Sequence, residues 1–456
     1  MPANRPDSAP QLARELSAWD GTLITIGSVI GTGIFLVSAD IARAAPHAGL
    51  LLAVWLLGGL LSVAGALTYA ELGTMYPRAG GIYVYLREAY GPLAGFLYGW
   101  ACFLVVMSGG IAAIAVGFGE YLGAFFPALG TGHLLAERTL LGFDWKLTAG
   151  QLSAAAAILL LTAINHAGLR AGAGTQNAVT AIKLGAIAVF VVFGFFVPLQ
   201  ADNRILAPLP STTLAGAFSV AMIAALWTYD GWYGLTFNAG EMRRPERDLP
   251  IGLIAGTGAV TVVYLVVNLV YLRALPIEAI AGSPRVAEAA AAALFGPGAA
   301  RLLAAAVLVS TFGCLAATIL YSSRVYPPMA EDGIFFRGLA KIDPRTHVPA
   351  RSLWAQSLWS VLLTLTGTYA QLYTYTTLVA VLFHVGAGAA IFTLRRRRPD
   401  APRPYRTWGY PWVPLAFIGA SLLLVVNTVW ERPAESAAGL LLAALGLPAY
   451  LYWRRK

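Results

Sequence analysis

Two apolar stretches of the chain contain glycines and polar residues that an uninterrupted membrane helix would lack. The first is Gly27-Ser28-Val29-Ile30-Gly31-Thr32-Gly33-Ile34-Phe35, and the second is Leu226-Trp227-Thr228-Tyr229-Asp230-Gly231-Trp232-Tyr233-Gly234. Each glycine costs a helix interior roughly 1 kcal/mol relative to alanine. Backbone that unwinds in lipid leaves polar groups unpaired, so a break is expected only where it faces protein or a cavity. Both stretches therefore predict helices that are interrupted in mid-membrane.

An interrupted helix has a definite binding chemistry. It exposes free N–H groups at the start of its second half and free carbonyl groups at the end of its first half, and each end carries roughly half an elementary charge. A zwitterion such as an amino acid suits both ends, with its carboxylate on the N–H groups. The alternative is that the glycines only allow tight helix packing. Two such segments, five apolar stretches apart, instead favour the paired breaks of an inverted repeat.

The composition requires lipid around most of the chain. Charged residues make up 12% of the sequence and hydrophobic residues 58%, with a mean hydropathy of +0.68, whereas average soluble chains are about 25% charged. We therefore predict an all-α polytopic membrane protein with about twelve transmembrane helices, each long enough to cross the hydrocarbon layer. The predicted spans are 20–43, 48–75, 92–122, 148–167, 173–198, 213–239, 250–272, 299–322, 350–367, 370–393, 409–428 and 434–453.

The distribution of basic residues predicts the orientation. The polar first segment has no apolar stretch and cleavage site typical of a signal peptide, so we place the N-terminus in the cytoplasm. Cytoplasmic loops and ends then hold 22 of the 31 Lys and Arg residues, in agreement with the positive-inside rule. Both termini are predicted to be cytoplasmic, in a multi-pass protein of the cell membrane. The run Arg395 to Arg398 is interpreted as a stop-transfer anchor at the end of the tenth span.

The sequence also argues against several other classes of protein. The two cysteines, Cys102 and Cys314, lie in apolar segments and offer neither a disulfide framework nor metal-ligand spacing. We expect no metal and no cofactor, and we attribute the net charge of +9 to basic loops rather than to nucleic-acid binding. An intramembrane aspartyl protease needs two carboxylates that share a proton, and Asp230 has no second deep aspartate. A channel would need a continuous polar lining rather than two local breaks. We therefore predict that the protein is not an enzyme.

Several further motifs accompany the glycine-rich string. They are Tyr69-Ala70-Glu71-Leu72-Gly73 with Pro77 and Gly80-Gly81, Tyr90-Gly91-Pro92, Tyr229-Asp230-Gly231-Trp232, and Glu241-Met242 followed by Pro245 and Leu249-Pro250. Together these motifs resemble the amino acid–polyamine–organocation (APC) superfamily, and within it the L-type amino acid transporter branch, over nearly the whole chain.

The resemblance implies a five-plus-five inverted repeat with broken helices one and six, followed by two C-terminal helices. We accordingly divide the chain into a cytoplasmic segment 1–19, repeats at 20–198 and 199–393, a basic cytoplasmic loop 394–408, and helices eleven and twelve in 409–456. The implied function is amino acid transport across the cytoplasmic membrane by alternating access, as sodium-independent exchange or proton-linked uptake. A non-transporting amino-acid sensor of the same fold is the alternative.

The resemblance also implies where the substrate binds. Gly31, Thr32 and Gly33 would present N–H groups to the substrate carboxylate. The carbonyls of Val29 and Trp227, with the backbone at Asp230, would accept the substrate ammonium group. The side chain of Trp227 matches an aromatic residue that closes over bound substrate on the outer side, although a core or lipid-facing aromatic is the alternative.

Two charged residues lie deep within predicted spans. Asp230 would cost roughly 2.5 to 3.5 kcal/mol on insertion, so it is a candidate either for recognising cationic amino acids or cystine, or for capping the second half-helix. We favour the cap. Lys183 is the basic residue deep in span five, and the resemblance implies that its ammonium group replaces the sodium ion of sodium-coupled relatives. Proton coupling through Lys183 is the alternative, and a snorkelling lysine is disfavoured by its distance from the cytoplasmic end.

The remaining predictions concern the cytoplasmic ends and the partners. Glu71 and Glu241 could pair with arginines of nearby loops as an inner gate, or they could be ordinary interfacial charges. Mammalian members of the resembled branch join a glycoprotein through a cysteine between spans three and four, and residues 125–148 contain no cysteine. We therefore expect an amino acid substrate and the lipid bilayer as partners, without a disulfide-linked subunit.

The predicted orientation can be tested by labelling. Cysteines introduced at Arg396 and Arg244 should react with a membrane-impermeant reagent from the cytoplasmic side, and a cysteine at Glu137 should react from outside, because these positions lie in loops on opposite faces. Labelling of inside-out and right-side-out vesicles measures this. Reaction of all three from one face would contradict the twelve-span topology.

Overall fold

A computed structural model describes residues 14, 16–78, 80–140, 143–167, 169–206, 214–343, 345–346 and 348–454. Most of the predicted N-terminal segment 1–19 lies outside these ranges. We call the side predicted to be extracellular the outer side and the opposite one the inner side. Helices dominate the described chain, and their bounds follow in chain order.

The first predicted span consists of three helical pieces. Helix α1 begins after Ser17, whose side chain forms a capping box with Asp20. The backbone leaves the helical path at residues 30–32 and resumes in two short helices. The pieces are α1 (Ala18–Val29), α2 (Gly33–Leu36) and α3 (Ser38–Ala44).

The rest of the first half contains four more predicted spans and a surface hairpin. The predicted third span includes a π-helical turn at Cys102–Val106, and β1 pairs with β2 in antiparallel register. The elements are α4 (Ala48–Met75), α5 (Ile82–Tyr90), α6 (Pro92–Ala101), α7 (Met107–Phe125), a 3₁₀ turn (Pro127–Leu129), β1 (Leu134–Leu140), β2 (Phe143–Thr148), α8 (Ala149–His166) and α9 (Leu169–Phe196).

The second half contains the second broken helix. Helix α10 ends at Tyr229, and a turn leads into a 3₁₀ helix. The elements are α10 (Leu214–Tyr229), the 3₁₀ helix (Gly234–Glu241), α11 (Pro245–Ala274), α12 (Ile277–Gly282), α13 (Val286–Phe295), α14 (Pro297–Ser322), a 3₁₀ turn (Ser323–Val325), α15 (Tyr326–Glu331), a 3₁₀ turn (Arg337–Ala340), α16 (Ala350–Thr364), α17 (Tyr369–Arg397), α18 (Trp412–Glu431), α19 (Pro433–Ala444) and α20 (Gly446–Arg454).

The described residues contain eight helical segments that are long and apolar enough to cross a membrane. Of the other four predicted spans, two are divided by the breaks at residues 30–32 and 230–233, and α16 has 15 residues. The fourth corresponds to α9 (Leu169–Phe196), whose side chains are described from Thr180 onward. The architecture is that of a polytopic helical membrane protein, as predicted, and the division into repeats at 20–198 and 199–393 stays a prediction.

Four features were not predicted from the sequence. They are helix α5, the β1–β2 hairpin, the short helices α12 and α13, and the short helix α15. All lie in connections between spans, where apolar runs are too short for a membrane helix.

The broken helices lie inside the bundle. Helix α11 packs along both α1 and α4, and α14 packs against α7 and α9. The crossing of α11 and α1 is close, because a Cβ added to Gly252 would lie 3.0 Å from the carbonyl carbon of Gly21. Small residues of this kind let helix backbones approach each other where no hydrophobic effect drives association.

Candidate functional site

The two breaks contact each other, and glycines make the contact possible. Gly231 has φ +100°, and a Cβ at this position would lie 3.0 Å from the Ser28 carbonyl oxygen. A Cβ at Gly33 would lie 2.5 Å from Thr228 Oγ1. The conformation at Gly231 favours glycine, and a side chain at Gly33 would force Thr228 to shift. Gly33 thus has a packing role in addition to the predicted exposure of its N–H group.

A cavity of about 40 Å³ lies between the breaks. All six residues predicted to bind substrate line it, namely Val29, Gly31, Thr32, Gly33, Trp227 and Asp230. The remaining wall comes from α7, through residues such as Met107, and from α14, through Cys314 and Tyr321. The structure therefore brings together residues that the chain places some 200 positions apart.

The backbone N–H groups of the first break differ in whether they already have a hydrogen-bond acceptor. Gly31 N–H donates to Val29 O at 2.8 Å, so it is already used within the turn. Thr32 and Gly33 stand at the start of α2, where helix N–H groups lack intrahelical acceptors. Among the described turns and loops, neither donates to a backbone carbonyl. These two N–H groups are therefore the donors that the turn itself does not use.

Lys183 provides partners for the carbonyl end of α1. Its Nζ donates to Gly27 O at 3.0 Å and to Ile30 O at 2.6 Å, and the residue is 2% exposed. An ammonium group in this position neutralises the negative end of the half-helix. This burial excludes the snorkelling alternative.

Tyr264 on α11 joins the two breaks, and sequence reasoning missed it. Its hydroxyl lies 2.9 Å from Val29 O and 3.0 Å from Thr228 O. A hydroxyl has one proton, so it donates to one carbonyl at a time and leaves the other free. A tyrosine within a predicted span carries no pattern that would identify such a contact.

Asp230 lies in the turn after α10 and lines the cavity. Its backbone N–H donates to Trp227 O at 3.1 Å, and its carboxylate interacts with the Tyr233 side chain and the Gly231 N–H. The 3₁₀ helix that follows has Tyr233 as its cap residue, without a side-chain cap bond. The carboxylate thus contacts the turn and faces the cavity, which leaves both predicted roles open.

Trp227 covers the cavity beside two tyrosines of α17. Its Nε1 donates to Tyr369 OH at 2.9 Å, and its ring lies nearly parallel to Tyr373, with planes 19° apart. The indole is 7% exposed, which excludes a lipid-facing position. Neither tyrosine was predicted as part of the site.

Glu71 is fully buried at the inner end of α4. Arg395 donates to its two carboxylate oxygens at 2.9 and 2.7 Å, and Thr407 N–H donates at 2.7 Å. Charge-assisted bidentate pairs of this kind are the strong ones. Glu71 therefore ties α4 to α17 and to the loop that follows it, and it is not an ordinary exposed interfacial charge.

Glu241 makes a looser contact. Its Oε1 lies 3.7 Å from Arg324 Nε, and Asn238 Nδ2 donates to Oε2 at 3.3 Å. The pair joins the second broken helix to the end of α14. The described residues contain no group of three or more His, Cys, Asp or Glu side chains that could hold a metal ion.

Two interrupted helices that meet at a cavity with polar and apolar lining inside an apolar helical bundle define a secondary transporter of the broken-helix class. Residues 16–445 match the family model described as amino acid permease. The chain belongs to this amino acid permease family of the APC superfamily, and it is an amino acid transporter by fold and family.

Curated relatives match over most of their length. The chain is 29% identical to the serine/threonine exchanger SteT of Bacillus subtilis over 448 residues, covering 98% of each chain. It is 29% identical to the mouse b(0,+)-type amino acid transporter 1, covering 93% of this chain and 84% of the relative. It is 30% identical to the human large neutral amino acids transporter small subunit 2, covering 98% and 82%.

The contact between the breaks yields a stability prediction. Gly33→Ala should destabilise the protein by about 1–3 kcal/mol, because the new Cβ overlaps Thr228 and must push the half-helices apart. Gly185→Ala is the matched control, since nothing lies within 4 Å of a Cβ there. The midpoint of thermal unfolding in detergent should fall for the first variant only. Equal midpoints for both variants would contradict the close approach.

Proposed function

We propose that this protein exchanges amino acids across the cell membrane by alternating access, without sodium, with both termini in the cytoplasm. The observation that carries the proposal is the cavity between the breaks, which the six predicted binding residues line. The serine/threonine exchanger among the relatives supports exchange as the transport mode. The transporter names of the relatives favour transport over the sensor alternative. We also propose that the protein is not an enzyme.

The backbone groups suggest how a zwitterion binds. We assign the substrate carboxylate to the N–H groups of Thr32 and Gly33, with the positive end of α2 behind them. The ammonium group is assigned to the carbonyl of Trp227 and to the turn at Asp230. The Val29 carbonyl contributes when the Tyr264 proton points to Thr228 O, because one lone pair is then left free.

Gating and coupling are assigned to Trp227 at the cavity and to residues outside its lining. Trp227 is the outer gate, because it covers the cavity at its boundary with α17. Glu71 and Glu241 are inner gate candidates through their arginine partners. Lys183 is the coupling residue, because its ammonium group already occupies carbonyls that a bound cation would need.

We further propose that the protein works without a disulfide-linked subunit. Residues 125–148 contain no cysteine, and Cys102 and Cys314 are buried, at 0% and 2% exposure. Neither thiol is available to a partner. The substrate and the lipid bilayer are the partners that the geometry supports.

Uptake into proteoliposomes tests the transport proposal. Purified protein should take up labelled alanine, serine, threonine, leucine or lysine faster when the vesicles contain unlabelled substrate. In exchange, the binding site returns to the outer side with an internal amino acid bound, so each labelled molecule that enters requires one that leaves. A sodium gradient should not change the rate, because the Lys183 ammonium group takes the place of the ion. Binding of an amino acid with no uptake of any would favour the sensor.

Lys183→Ala separates coupling from binding in the same assay. It should lower the maximal rate much more than it raises the half-saturating concentration, since the ammonium group organises the end of α1 rather than contacting substrate. Lys341→Ala, at an exposed lysine, is the control. Strong sodium stimulation of the unmodified protein would contradict the role of Lys183.

Asp230 variants distinguish recognition from support of the turn. Asp230→Ala should lower uptake of every substrate to a similar degree, because the carboxylate holds the Gly231 N–H, and Asp230→Asn should keep most activity. If the acid instead recognises side chains, lysine and arginine uptake should fall by about 1.5–3 kcal/mol in apparent free energy, with leucine unchanged. Comparison of cationic and neutral uptake decides between the two roles, and a selective cationic loss would contradict our expectation.

A further inference from the structure

Three aromatic side chains form a layer between the central cavity and the outer surface. We call Trp227, Tyr369 and Tyr373 the aromatic layer. Trp227 lines the central cavity, whereas Tyr373 and Tyr369 each line one of two larger cavities on the outer side, of about 440 and 390 Å³. Asp40 lines both outer cavities. The layer therefore separates the site from the space through which substrate would arrive.

The layer is held together by specific contacts. Trp227 Nε1 donates to Tyr369 OH at 2.9 Å, and that hydroxyl lies 3.4 Å from Thr32 Oγ1 on the first break. Tyr373 packs on Trp227, with ring centroids 6.1 Å apart, and on Tyr369, with centroids 5.4 Å apart. The position of Trp227 thus depends on both tyrosines of α17.

One hydrogen bond anchors this layer to the outer piece of the first broken helix. Tyr373 OH donates to Asp40 Oδ2 at 2.9 Å, and Tyr373 is 5% exposed. The other carboxylate oxygen of Asp40 pairs with Arg43, which donates to Ala281 O at 2.7 Å. The Arg43 side chain is 53% exposed, so its pair contributes little. The Tyr373 bond is the better shielded contact, because Tyr373 is buried and the Asp40 side chain is 22% exposed, and its acceptor is anionic.

We propose that the Tyr373–Asp40 hydrogen bond is a latch that keeps the aromatic layer closed over the cavity, with both residues positioning the outer gate. Tyr373 contacts α3 through its hydroxyl and Trp227 through its ring, so it fixes the outer parts of both broken helices to α17. Uncovering the cavity from outside requires Trp227 to separate from α17, and this bond must then break. The inference rests on the proposed transport function.

A thiol already present in the site reports on the latch. Cys314 lines the central cavity, with Sγ 3.2 Å from where a Gly31 Cβ would lie. In a Cys102→Ala background it is the single cysteine of the chain. A membrane-impermeant thiosulfonate added outside right-side-out vesicles modifies Cys314 only when the layer opens. The rate of modification measures the outward-open population without any need for transport.

Loss of the latch should accelerate this modification. Tyr373→Phe keeps the ring and removes the hydroxyl, and the rate should rise on the order of tenfold, as expected for losing a hydrogen bond to a charged acceptor. Asp40→Asn should accelerate the reaction less, because the amide oxygen still accepts a hydrogen bond without the charge. Asp40→Asn also serves as the second variant if Tyr373→Phe folds poorly.

Tyr375→Phe is the matched control on the same helix. Its buried hydroxyl has no hydrogen-bond partner within the described part of the chain, so the rate should equal that of the background protein. The latch would be overturned if Cys314 in Tyr373→Phe were modified at the background rate or not at all. It would also be overturned if Tyr375→Phe accelerated the modification as much as Tyr373→Phe. If Tyr373→Phe accelerates labelling while the unmodified protein transports no amino acid, the latch stands and the proposed function fails.

Discussion

Unpaired backbone groups in the middle of a membrane are the constraint on which this structure depends. Lipid cannot satisfy a broken helix, so each exposed carbonyl or N–H needs a partner from the protein or must face a cavity. Lys183 satisfies Gly27 O and Ile30 O, and Tyr264 reaches carbonyls of both breaks. These contacts fix α9 and α11 against α1 and α10, and they determine how the centre of the bundle is assembled.

The cavity is lined by backbone groups that those partners leave unused. The carbonyl end of α1 is largely occupied, whereas Thr32 and Gly33 at the start of α2 line the cavity and donate to no backbone carbonyl among the described turns and loops. In the proposed site these donors receive the substrate carboxylate. Asp230 and Trp227 line the cavity from the second break, so in that proposal one helix provides backbone donors and the other provides side chains.

The two contacts between a glutamate and an arginine on the inner side differ in strength. Glu71 is buried and receives two hydrogen bonds from Arg395 and one from Thr407, so removal of Arg395 would leave a buried carboxylate without its main partner. The Glu241–Arg324 pair spans 3.7 Å, and the Glu241 side chain is 20% exposed, which makes it the easier pair to break. Of the two inner gate candidates, the Glu241–Arg324 pair is therefore the weaker contact.

The sequence by itself determined the features that arise from local composition. Span lengths follow from the thickness of the hydrocarbon layer, the breaks follow from glycines within apolar runs, and the depth of Lys183 follows from its distance to the span ends. Only the tertiary structure decided which groups meet. Tyr264, Tyr369, Tyr373 and Asp40 carry no local pattern, since their partners lie far away in the chain. Gly33 is restricted by Thr228, which is remote in sequence, and the burial of Glu71 depends on a loop more than 300 residues later. Hydropathy reports how a segment partitions into lipid, whereas these contacts depend on how helices are placed around one another.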